Sequence, residues 1–90
     1  MDEMTDHTLW HLDEALEALT QLIKEARDPA ADPGHAGLGI NIAHVYHHLN
    51  TAWNSRAAPK EQTDACAEED FNRWRRFPLD LPDDLDPPRP

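Results

Sequence analysis

Six histidines are the residues in this chain best placed to do chemistry, and their spacing decides what that chemistry could be. His44 and His48 stand four apart, as do His7 and His11, and a helix presents residues four apart on one face. Two imidazoles held in that way are a common means of offering ligands to a zinc or copper ion, so His44 and His48 are the candidate metal ligands. Glu14 extends the face of the first pair towards a third ligand. No Glu or Asp lies three residues before any of these histidines, so the Glu-x-x-His pattern of di-iron helical bundles is missing. The first pair is also expected to lie opposite the leucines of its helix and point to solvent. Imidazoles titrate near neutrality, so the same residues offer a route to pH-dependent assembly.

Other chemistry finds less support. Glu14 with Glu17, and Glu61 with Asp64, are spaced like magnesium-holding carboxylate pairs. The first pair projects away from the leucines, however, and the second falls where a new helix should begin. Cys66 is the single cysteine, so it forms no intramolecular disulfide and supplies no cysteine zinc site. The acidic residues around it, Asp64, Glu68 and Glu69, would raise its thiol pKa and blunt it as a nucleophile. Three glycines in the whole chain leave no phosphate-cradling loop. Arg73, Arg75 and Arg76 flank Trp74, but aspartates follow closely, and cations are favoured at a helix C-terminus in any case. No catalytic residues are assigned, no cofactor is required, and the chain is expected not to be an enzyme.

The distribution of charge is more informative. Eighteen acidic residues against eight Lys and Arg give a formal charge of −10. Such a field repels phosphate backbones and anionic lipid, which argues against nucleic-acid or membrane partners. It leaves open an acidic protein that occupies a basic partner, whose binding would weaken with salt. Yet between Asp32 and Glu61 there is no Asp or Glu at all. That stretch carries Asn41, His44, Tyr46, His47, His48, Asn50, Thr51, Trp53 and Asn54 instead. Either it is a central element contacted on several sides, where charge is costly to desolvate, or its polar flank is a binding surface. The candidate partner-binding residues are Asn41, His44 and His48 on one side, Tyr46 and Trp53 on the other, and Trp10 on the preceding helix.

These residues need helices to position them. Leu9, Leu12, Leu16, Leu19, Ile23 and Ala26 recur at gaps of three and four, which predicts a helix over about 6–27, capped by Thr5 or Asp6 and stopped by Asp28-Pro29. A loop with Pro29, Pro33, Gly34 and Gly37 follows. Leu38, Ile42, Val45, Leu49 and Ala52 predict a second helix over 38–57, and the two should fold into an antiparallel hairpin. Pro59 suits the first turn of a third, shorter helix over 60–76, with Phe71 and Trp74 on its apolar face. Residues 78–90 hold five of the eight prolines and read as a disordered acidic tail.

The expected architecture is therefore all-α: one compact helical domain over residues 1–77 and a disordered Pro-rich tail. The third helix offers few large apolar residues, so closure of the core by a second copy, a homodimeric four-helix bundle, is expected over closure by helix 3. No run is apolar enough to cross a bilayer and the first residues lack a secretion signal, so a cytoplasmic location is expected. The functional expectation is a small acidic helical protein–protein interaction module, homodimeric, with the polar and aromatic flank of the second helix as its binding surface and metal binding at His44 and His48 as the alternative.

Overall fold

The computed structural model describes residues 3–81. Among these the fold is all-α, with four helices: α1 (Asp6–Ala26), α2 (Gly34–Asn54), α3 (Lys60–Ala65) and α4 (Glu68–Trp74). The two long helices pack against each other as a hairpin, and α4 lies on α2.

The start of α1 falls where the sequence places it. Thr5 is the N-cap, its hydroxyl accepting the Thr8 N–H at 3.1 Å. The helix ends one residue earlier than expected. In contrast, α2 begins four residues before the expected start. Pro33 fixes its entry, and Gly34 turns the chain at φ 67° with its N–H donating to the Asp32 carboxylate. Glycines that read as loop punctuation are thus inside the first turn of the helix. It stops at Asn54, and the Ser55 hydroxyl donates to the Thr51 carbonyl at 2.6 Å.

The expected third helix is broken in two. Cys66 takes up a left-handed conformation, φ 40° and ψ 57°, and its N–H closes α3 by donating to the Gln62 carbonyl. Glycine is the residue that usually ends a helix this way, so the break carries no sequence signal. The segment after α4 lies along α2. Phe77 stacks on Tyr46 at 5.9 Å between centroids, and Asp80 accepts from the Trp53 indole at 2.9 Å. Within the expected disordered tail, Asp80 is thus bound to α2 and Pro78 is buried, while Leu79 is exposed; residues 82–90 lie outside the described residues.

Packing departs from expectation in one further respect. The residues buried along α1 are Thr8, Ala15 and Leu22, seven apart, and α2 answers with Val45 and Ala52, also seven apart. This is the spacing of a close helix seam, and it is lined chiefly by small side chains. Val45 and Ala52 of the expected α2 stripe are in this seam, but the larger members of both stripes are rotated out of it: Leu9, Leu16, Leu19 and Ile23 of α1, and Leu38, Ile42 and Leu49 of α2, are 39% to 63% exposed.

Candidate functional site

The small-residue seam divides the hairpin into two unlike faces. On one, Leu12 of α1 and Leu49 of α2 line a single groove of about 750 Å³ together with Met4 and Trp53. The two leucine flanks consequently lie on the same side and form one apolar surface. At its α2 edge, Arg56 stacks over the Trp53 ring at 3.7 Å and pairs with Asp80 at 3.2 Å.

The other face carries histidines from both helices. His11 and His48 approach across the seam until their Nδ1 atoms are 2.9 Å apart, one donating and the other accepting according to tautomer. His7 stands edge-on to His11 at 4.6 Å between centroids, and His44 stands edge-on to His48 at 4.8 Å. Trp10 abuts both central rings, at 4.9 Å from His11 and 6.0 Å from His48. Beneath His7 lies the ring of Trp74, which is only 3% exposed. The row His7, His11, His48, His44 is thus continuous across two helices.

This corrects the expectation that His7 and His11 face solvent. Their helix is turned so that its leucines lie to one side and its histidines meet α2. Burial is the largest influence on His11, and with the neighbouring His7 and His48 it lowers the pKa to about 4, so the ring is neutral at pH 7. His48 is lowered by burial first and then by His44, against an opposing pull from Glu14. His7 is lowered by burial, opposed by Asp64. Its Nε2 atom is buried and has no hydrogen-bond partner. His47 lies apart from the row and accepts from the Arg75 guanidinium at 3.0 Å. Burial and that cation lower its pKa.

No known protein family matches the chain, and no curated protein or solved structure matches it either.

The six residues singled out for partner binding do not form one surface. Trp10, His44 and His48 share the histidine face, with Trp10 54% exposed. Trp53 lies at the apolar groove, where Asp80 engages it, and Tyr46 lies on the α4 side of α2, where Phe77 stacks on it. Asn41 donates its amide to the Gly37 carbonyl within its own helix. The proposed ligand pair His44 and His48 is adjacent, but the Nδ1 of His48 is directed at His11 on the other helix. Among the described residues, no three His, Cys, Asp or Glu side chains converge to hold a metal ion in this conformation. His11 was the residue that sequence spacing undervalued. Its partner lies 37 positions away, and nothing local to α1 announces it.

The polar residues of the acid-free stretch have a structural use as well. Asn50 donates to the Arg75 carbonyl, and Asn54 donates to the carbonyls of Trp74 and Arg76, at 2.7 to 3.0 Å. These amides satisfy carbonyls at the end of α4 and just beyond it, where the chain has no helical donors left to pair them, and a carboxylate in either place could not donate. Among the described residues no helix is long and apolar enough to cross a membrane.

Proposed function

We propose that this protein is a homodimeric interaction module in which two α1–α2 hairpins close a four-helix bundle through their apolar faces. The observation that carries this reading is the run of half-exposed Leu and Ile side chains on one side of both long helices. Together they offer on the order of 600 Å² of apolar surface, at the upper limit of the patches ordinary monomers leave in water. With Leu12 and the rim of the groove added, this approaches the roughly 800 Å² per partner of a stable interface. A second copy is the fitting occupant because the face is matched in length on both helices, and two such faces bring four helices around one core. The acid-free α2 contributes half of that surface, which lets a chain of charge −10 approach its own copy.

The face bearing Trp10 and His44 stays outside this bundle and is the natural place for a further protein partner, with Trp10 as its anchor. The reading assigns no catalysis. It goes with a cytoplasmic location, where an exposed lone cysteine such as Cys66 remains reduced.

The test is self-association. Native mass spectrometry and light scattering of tag-free protein over a range of concentrations should give a dimer. Leu16→Glu should give a helical monomer, since Leu16 is already 63% exposed within one chain. Two copies of Leu16 contribute about 200 Å² of the contact, or ~5 kcal/mol at ~25 cal/mol per Å². That is more than a thousandfold in Kd at about 1.4 kcal/mol per decade. A wild-type chain that stays monomeric at about 100 μM, where a Kd of 1 μM or below would leave it paired, overturns the proposal.

A further inference from the structure

We propose that His11 and His48 form a clip for a borderline transition-metal cation of the zinc and copper class, held between α1 and α2, with His7 as the third ligand.

The clip rests on geometry. Two imidazole nitrogens bound tetrahedrally at about 2.0–2.1 Å from zinc lie about 3.3 Å from each other. The Nδ1 atoms of His11 and His48 already face each other at 2.9 Å. A parting of less than half an ångström converts the hydrogen bond into a chelate. Both nitrogens then donate a lone pair to the ion, so the ring that carried its proton on Nδ1 shifts it to Nε2, and no net proton is released. The third ligand follows from a separate observation. The Nε2 of His7 is buried without a hydrogen-bond partner, on a ring 4.6 Å from that of His11. A rotation of that ring is required to complete the set, because three donors do not converge as the side chains stand.

The surroundings suit a cation. Trp10 walls one side of the pair. Glu14 lies close enough to act electrostatically on His48 and supplies the negative charge that the imidazoles lack. Imidazole ligands favour zinc, copper and nickel over magnesium and calcium. The pairing also differs from a single-helix site. A metal held by His44 and His48 would tie α2 only to itself, whereas one held by His11 and His48 fastens the two long helices together. This site lies on the side of the hairpin away from the apolar face, so it neither requires nor prevents the dimer.

Calorimetric titration of tag-free protein with zinc chloride, and separately with copper sulfate, tests the site. One ion per chain with a Kd of 10 μM or tighter is expected. His11→Ala and His48→Ala should each weaken binding at least thirtyfold and His7→Ala about tenfold, while His44→Ala and His35→Ala should stay within threefold of wild type. Nitrogen-15 NMR of the wild-type imidazoles keeps the test independent of whether the variants fold: zinc should move the Nδ1 resonances of His11 and His48 and leave their Nε2 atoms protonated. Absence of binding below 100 μM, or loss of binding with His44→Ala but not with His11→Ala, overturns the proposal. Native mass spectra read ion count and oligomeric state together, so a metal-loaded monomer would refute only the dimer and a metal-free dimer only the clip.

Discussion

Asn54 holds the C-terminal third of the described chain to α2, and replacing it isolates that function. Its Nδ2 donates to the Trp74 carbonyl at 2.8 Å and to the Arg76 carbonyl at 2.7 Å, across the end of α4. Trp74 ends α4 and Arg76 lies just beyond its C-cap, so neither carbonyl has an intrahelical partner, and without Asn54 both turn to water or go unpaired. Each bond contributes ~0.5–1.5 kcal/mol net, and Asn54→Ala should therefore cost about 2 kcal/mol. In a chain of this size that lowers Tm by ~10 °C, at ~4–8 °C per kcal/mol. Asn54→Asp is the more telling variant. It keeps the shape, but a carboxylate has no proton to donate and would face two carbonyl oxygens, so it should cost more than alanine. Thermal melts at matched protein concentration measure the loss. Hydrogen exchange should place it in residues 68–77, with α1 little changed. An Asn54→Asp protein as stable as wild type, or one whose exchange rises equally in α1 and α4, would falsify the reasoning.

Three further outcomes are expected. Cys66→Gly should stabilise the chain by about 1 kcal/mol, because glycine enters the left-handed region without the penalty that a side chain incurs there; a denaturant midpoint that falls would contradict this. The Asp80 carboxyl is held below its ordinary value by the Trp53 indole first and by Arg56 second. Its depressed pKa means that the attachment is fully present above the ordinary carboxylate value of 3.8 and is lost as pH falls through the folded pKa. The Trp53 indole NMR signal should shift in that acidic window, and Asp80→Asn should shift it at pH 7; a signal indifferent to both would count against the contact. Gly37→Ala should destabilise α2 by ~1–3 kcal/mol despite better helix propensity, because its Cβ would lie 2.2 Å from that of Pro33. Circular dichroism during heating reads that change, and an unchanged melt would show that Pro33 yields.

Periodicity made the two long helices legible. Gaps of three and four place Leu9 to Ile23 on one stripe whatever that stripe contacts, and Thr5 with Asp28-Pro29 marks the ends. What periodicity cannot convey is which neighbour a stripe meets. Each stripe was assigned to the hairpin seam whole, but the seam takes Val45 and Ala52 from the α2 stripe and Thr8, Ala15 and Leu22 from the flank of the α1 stripe, three of the five having small side chains that allow close approach. That rotation of each helix is also what brings His11 to His48. The absence of acid from the second helix was visible, and part of its reason is now physical: Asn50 and Asn54 must donate to carbonyls, and a carboxylate cannot. The break at Cys66 was hidden because it depends on a backbone conformation that the residue type does not favour. Likewise the attachment of Asp80 to Trp53 joins residues 27 apart through one side-chain bond, which no local pattern encodes.

Among the described residues, the buried apolar side chains of a single chain are Ala15, Leu22, Val45, Ala52 and Trp74, with one leucine and one valine between the two long helices. So lean an interior ties folding to the company the chain keeps. In the homodimer proposed above, the unfolding equilibrium takes on a concentration term and Tm climbs with the logarithm of total protein. Gene dosage would then act as a regulator in its own right. A sparsely expressed chain would spend much of its time as a single open hairpin within reach of proteases, and a doubling of synthesis would raise the level of paired, protected protein by more than twofold.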